Sequence, residues 1–172
     1  MLTKRDLLLA ISHLATELSP RTGHAELVVV GGGALILLYD AREGTHDLDV
    51  LIVSKKTEVL RAAKRTAEAL ALPDDWLNEA AKGYIHHVSR GRVLYRTRTL
   101  LVRAVDPAQL LAMKLMAWRD EQDIADAKLL IKKVHGTRAE RWTKLRRYLV
   151  PGRETKASYA FDDLWESVYG SP

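Results

Sequence analysis

Leu27-Val28-Val29-Val30 runs into Gly31-Gly32-Gly33 and then into the apolar stretch Ala34 to Tyr39; after a loop, Asp47-Leu48-Asp49-Val50 opens a second apolar run. This order reads as strand, glycine turn, helix, strand. A strand presents residues i and i+2 on one face, so Asp47 and Asp49 point the same way while Leu48 and Val50 point into a core. Neighbouring carboxylates repel, and a divalent cation between them removes the repulsion. A solvated edge strand is the plain alternative. Against it, Asp is a poor strand former, and Val50 to Val53 has the apolar continuity of a buried strand.

The chain has 172 residues, which is one domain or one domain with a helical appendage, and 47% hydrophobic residues suffice for a sizeable core. It has no cysteine, which excludes a disulfide framework and a thiolate metal site. The start, Met1 to Asp6, leads into an amphipathic stretch rather than a signal peptide, and no apolar run approaches a membrane span. A cytoplasmic protein is expected. The net charge of +5 is unevenly spread. Lys82 to Val105 holds six Lys or Arg and no acid, and Lys132 to Lys156 holds nine against Glu140 and Glu154. Such segments either form a solvated basic face or attract a polyanion such as nucleic acid.

Thr3 and Asp6 resemble a capping box opening a helix to about Leu18, with Leu7, Leu8, Ile11, Leu14, Ala15 and Leu18 as its apolar stripe. Leu27 to Val30 is the first strand, Ala34 to Tyr39 a short helix, and Asp47 to Val53 the second strand. Ser54 is placed to cap a helix from Lys55 to Leu70, and Pro73-Asp74-Asp75 to start a short one with Trp76 and Leu77 buried. Tyr84 to Val88 and Arg92 to Tyr95 alternate weakly as strands; Thr99 to Val105 is a better one. Asp106-Pro107 is a strong helix start for Gln109 to Trp118. Helices containing Ile124 to Val134, Thr137 to about Tyr148, and Ser158 to Tyr169 follow. The last carries Phe161, Leu164, Trp165 and Val168 on one side.

Glycines let backbone N–H groups approach an anion, and a helix N-terminus favours negative charge. There is no G-x-G-x-x-G, so a Rossmann site is excluded, and the turn lacks the Lys-Ser/Thr of a P-loop. Lys114 borders the apolar face formed by Leu111, Leu115 and Trp118. Asp123 either caps the helix beginning at Ile124 or serves a site, and the two roles are compatible. If the helix runs through, Arg119 and Asp123 are spaced for an ion pair. His46 adjoins Asp47 but faces away from it on a strand, and His86 and His87 would face opposite ways.

The glycine turn, short helix and D-x-D of residues 27 to 53 resemble the nucleotidyltransferase superfamily related to DNA polymerase β. The stretch Leu110 to Arg119, followed by Asp120 to Asp126, looks like the paired helical motifs of AbiEii-like nucleotidyltransferases, toxins of toxin–antitoxin pairs. The resemblance implies an α/β (α+β) nucleotidyltransferase fold: a small mixed sheet flanked by helices over residues 1–134, with a helical C-terminal extension, 135–172, packed on the same domain. It implies that Asp47 and Asp49 hold Mg²⁺ (or Mn²⁺), that Gly32 and Gly33 hold phosphate, and that Lys114 and Asp123, with Asp126 as second choice, join the catalytic set. Arg42 and Thr45, in the loop before D-x-D, are nucleotide-binding candidates. The implied donor is an NTP, the acceptor an RNA end such as that of tRNA, and the partner an antitoxin. A protein or small-molecule acceptor, or a non-catalytic nucleotide- or RNA-binding module, are the alternatives. The chain departs from the superfamily in two places. The turn lacks the serine that commonly follows its first glycine, and Thr99 to Val105, where a third carboxylate is often found, carries Arg103 instead.

Overall fold

The computed structural model describes residues 1–20 and 23–170. The chain divides into two compact units: Met1–Lys82 with Arg90–Val105, and Gly83–Ser89 with the chain from Asp106 onward. The 134/135 point lies inside the second unit, in the link between two of its helices.

The first unit is built on a five-stranded mixed sheet. Its central strand β1 (Ala25–Val29) runs antiparallel to β2 (Leu48–Ile52), with Val29 opposite Val50, and parallel to β5 (Leu100–Ala104), with Val29 opposite Ala104. β3 (Leu77–Asn78) pairs in parallel with β2, and β4 (Val93–Arg96) antiparallel with β5, giving the order β3-β2-β1-β5-β4. Alternation along the strands puts Leu27, Val29, Val50, Leu100, Val102 and Ala104 on one face, all fully buried. Each large aliphatic removed from water there contributes roughly 1.5–3 kcal/mol. The other face carries Glu26, Asp49 and Arg103, all half-buried.

Three helices complete this unit. α1 (Lys4–Glu17) opens with the expected capping box: the Thr3 hydroxyl accepts from the Asp6 N–H, and the Asp6 carboxylate accepts from the Thr3 N–H. Its buried side is Leu7, Ala10, Ile11, Leu14 and Ala15; Leu8, expected inside, is exposed because it lies one position off that stripe. α2 (Gly31–Tyr39) begins earlier than expected, so the three glycines are its first turn and not a turn ahead of it. α3 (Lys56–Leu70) packs against α1. Ser54 does not cap α3. Its hydroxyl accepts from the Glu26 N–H and donates to the His24 carbonyl, and Lys55, in the left-handed conformation, takes the N-cap position. Pro73 starts a turn rather than a helix, closed by Trp76 N–H to Pro73 C=O. The Trp76 carbonyl then accepts from Leu48 N–H, which adds Leu77–Asn78 to the sheet edge. Trp76 and Leu77 are buried, as their composition suggested.

The second unit is helical. α4 (Pro107–Ala117) is capped by Asp106, whose carboxylate accepts from Gln109 N–H and, through its other oxygen, from the Tyr148 hydroxyl. α5 (Glu121–Ile131), α6 (Arg138–Arg146) and α7 (Glu154–Tyr169) follow, α6 with a full capping box of Thr137 and Glu140. Tyr84 to Val88 is not a strand. The buried Gln109 amide donates to the His87 carbonyl and accepts from the Ser89 N–H, so a side chain satisfies the backbone that a ladder would have used. No helix among the described residues is long and apolar enough to cross a membrane.

Candidate active site

Val30 N–H donates to the Asp49 carbonyl at 3.0 Å, tying the end of β1 to β2 so that α2 starts beside Asp49. The three glycines then have three different neighbours. Gly31 adopts φ +63°, and a Cβ there would sit 3.0 Å from Asp49 Oδ2: the carboxylate lies against a backbone bare of side chain. At Gly32 a Cβ would come within 3.0 Å of Arg42 Nη1 and 3.3 Å of the Thr45 hydroxyl. At Gly33 it would meet Leu48 Cδ1 at 2.5 Å, so this glycine serves packing. The N-cap residue of α2, Val30, makes no side-chain cap hydrogen bond, and the first N–H groups of the helix carry the positive end of its dipole.

The loop bearing Arg42 and Thr45 is held by Leu2, ahead of α1. Leu2 and Thr45 exchange both backbone hydrogen bonds, at 2.6 and 2.9 Å, and Thr45 is only 9% exposed. Asp47 lies one residue ahead of β2. Asn78 Nδ2 donates to its Oδ2 at 2.7 Å, and Asn78 is itself the register partner of Asp49 on the adjacent strand. Paired residues share a face, so Asn78 links the two aspartates to one side of the sheet edge. Leu48 and Val50 are fully buried on the other side, as the alternation required. His46 is exposed.

Two half-buried carboxylates, one lying in a cradle that a Cβ at Gly31 would fill, are hard oxygen donors of the kind Mg²⁺ takes. That ion is commonly held by one or two carboxylates plus substrate phosphate and water, so the pair fits it. Among the described residues there is no group of three or more His, Asp or Glu placed to hold a metal. Arg103 stands on β5, the strand where a third carboxylate was expected. Its Nε is buried, without a hydrogen bond among the described residues, 3.6 Å from Glu26 Oε1.

Lys114, Asp123 and Asp126 belong to the second unit. Lys114 Nζ reaches Asp123 Oδ1 at 2.8 Å and Asp126 Oδ2 at 2.7 Å; the three residues are 9%, 2% and 2% exposed. Arg119 donates to Asp123 from both its backbone N–H and its Nε. Asp123 is not the helix cap. Asp120 is, accepting from Asp123 N–H at 2.8 Å, which leaves the Asp123 carboxylate for the two cations. Burial alone would raise the Asp123 pKa, but the hydrogen bonds from Arg119 and Lys114 outweigh it and hold the carboxyl down to about 2. The same bond keeps Arg119 more firmly protonated. Pro73-Asp74-Asp75 predicts a helix start, whereas the structure puts Asn78, a few residues on, at the end of the short strand β3 opposite Asp49.

A glycine-opened helix beside an aspartate pair on a mixed sheet defines an α/β protein of nucleotidyltransferase-like fold. The chain belongs to the family described as a nucleotidyltransferase of unknown function (DUF6036), which matches residues 6–137. No curated protein and no solved structure matches it.

Proposed function

We propose that the first unit binds an NTP with Mg²⁺ (or Mn²⁺) at Asp47 and Asp49 and transfers its nucleoside monophosphate to a hydroxyl at an RNA end. The observation that carries this reading is the convergence on one helical turn of an acid at Gly31 and of a guanidinium and a hydroxyl at Gly32. In the step, the acceptor oxygen forms a bond to the α-phosphorus, loses its proton, and displaces pyrophosphate. The bound cation would supply neutralisation of the phosphate charge and activation of the hydroxyl. Asp47 and Asp49 hold it. Arg42, Thr45 and the N–H groups at Gly32 and Gly33 orient the phosphates. The Thr45 hydroxyl lies 3.3 Å from where a Cβ at position 32 would stand, which supports it as the hydroxyl taking the part of the missing turn serine.

The RNA acceptor is supported by exposed charge. Lys82, Arg90, Arg92, Arg96 and Arg98 are all exposed, as are Lys132, Lys144, Arg146, Arg147 and Lys156. The resemblance to AbiEii-like toxins supports a tRNA end and an antitoxin partner. It also gives Lys114 and Asp123 a part in the chemistry. What supports that part is a charged cluster kept buried, which structures retain at a cost in desolvation.

Purified protein with Mg²⁺, each α-labelled NTP in turn and total tRNA tests the reading, with Asp47→Ala as control. Label entering RNA from one nucleotide, and absent with the variant, supports it. Label on protein instead changes the acceptor. NTP binding without any transfer favours a non-catalytic module, the reading that Arg103 in place of a third acid supports. Thr45→Val keeps both backbone bonds to Leu2 and removes only the hydroxyl. NTP affinity, measured by calorimetry, should fall about tenfold or more, the worth of a hydrogen bond to a charged group, with the melting temperature unchanged.

A further inference from the structure

Resting on the metal reading of Asp47 and Asp49, we propose that Asn78 is a positioning residue for the cation: it fixes the Asp47 carboxylate so that one oxygen faces the metal. All three hydrogen-bonding positions of the Asn78 amide that matter here are assigned. Its Oδ1 accepts from Ala80 N–H at 2.8 Å. Its Nδ2 donates to the Asp75 carbonyl at 3.3 Å and to Asp47 Oδ2 at 2.7 Å. A flipped amide would aim its oxygen at the Asp47 and Asp75 oxygens and its N–H groups at the Ala80 N–H, so the orientation is forced from both ends.

The placement is equally constrained. Asn78 is the last residue of β3 and pairs with Asp49, while Leu77 pairs with Leu48. Glu79, the next residue, accepts from Ile52 N–H and forms an ion pair with Lys56. The short strand is thereby fastened to β2 on both sides of Asn78. Asp47 lies outside β2 and has no ladder pairing to fix its side chain. The Asn78 amide supplies that constraint. It binds Oδ2 and leaves the orientation in which Oδ1 serves as the metal's oxygen. An N–H donor on the outer oxygen of a ligating carboxylate is the usual way a protein orients such a ligand, and its loss commonly weakens metal affinity ~10–100-fold.

Asn78→Ser separates this role from a local structural one. A serine hydroxyl still accepts from Ala80 N–H in a hydroxyl-closed turn, but is too short to reach Asp47. Mn²⁺ binding is followed by loss of the free-ion electron paramagnetic resonance signal, with native protein and Asp49→Asn as references and thermal melts as fold controls. We expect Asn78→Ser to melt like the native protein and to bind Mn²⁺ about tenfold more weakly. Native affinity in the variant, with Asp49→Asn impaired, overturns the role of Asn78 and leaves the site standing. No Mn²⁺ binding by the native protein, with or without NTP, overturns the metal site itself. A measurement on the native chain needs no variant to fold: the Asn78 side-chain amide resonances should move as Mg²⁺ is added, and stationary resonances at saturating Mg²⁺ count against the proposal.

Discussion

Lys114→Met should destabilise the protein by about 3–5 kcal/mol, because it leaves two buried carboxylates without the ammonium that both of them use. Methionine fills nearly the same volume, so the loss is electrostatic and not a cavity. In a thermal melt the midpoint should fall by roughly 6–20 °C. The pH dependence identifies the cause. Asp123 has its folded pKa depressed, from 3.8 to about 2. Its contribution is therefore fully present above the unfolded pKa and is lost as the pH falls through about 4 towards 2. That contribution is on the order of 2 kcal/mol. In the variant the Asp123 pKa rises, so acid unfolding should begin at higher pH than in the native chain. A variant that melts normally but loses nucleotide transfer would instead make Lys114 a group of the chemistry with little part in the fold.

Gly31→Ala should do the reverse: little to the fold and much to the site. An alanine at φ +63° costs about 1–2 kcal/mol. Its Cβ would stand 3.0 Å from Asp49 Oδ2, a tight contact that shifts the carboxylate by a few tenths of an ångström. A displacement near 1 Å in a reacting constellation can cost about 10²-fold in rate, and a shift a few times smaller about tenfold. Transfer activity should drop by that order, and Mn²⁺ affinity with it, while the melting temperature falls by only a few degrees. Gly32→Ala is the contrasting variant. Its Cβ meets Arg42 and Thr45, so NTP affinity should suffer more than metal affinity.

What was legible in the sequence was local. Thr3 with Asp6, Asp106 with Pro107, and Thr137 announce helix starts because each acts on backbone within three residues of itself. The alternation of Asp47, Leu48, Asp49 and Val50 was legible for the same reason, since the pleat alone decides which side chains are buried. What failed depended on partners distant in sequence. Ser54 has the composition of a cap, but residues 24 and 26 compete for its hydroxyl and win. Tyr84 to Val88 has strand-like alternation, but Gln109, twenty residues on, takes the backbone groups around Ser89. Asn78 could not be singled out because its meaning lies in a two-residue parallel pairing with β2. Asp123 has the sequence position of a cap or of a site residue. Asp120 takes the cap, and the carboxylate joins a cluster that reaches back nine residues to Lys114.

The path of the chain between its two units has a practical side. The first unit is interrupted by Gly83–Ser89, whose backbone partners lie on Gln109 and whose Ser89 hydroxyl accepts from Asp106 N–H. A gene fragment ending at Val105 would keep that segment and discard what satisfies it; one beginning at Asp106 would take from the Gln109 amide the His87 and Ser89 groups it binds. Neither half is a cassette that can be cloned out and assayed by itself. Functions in this protein have to be apportioned residue by residue within the intact chain.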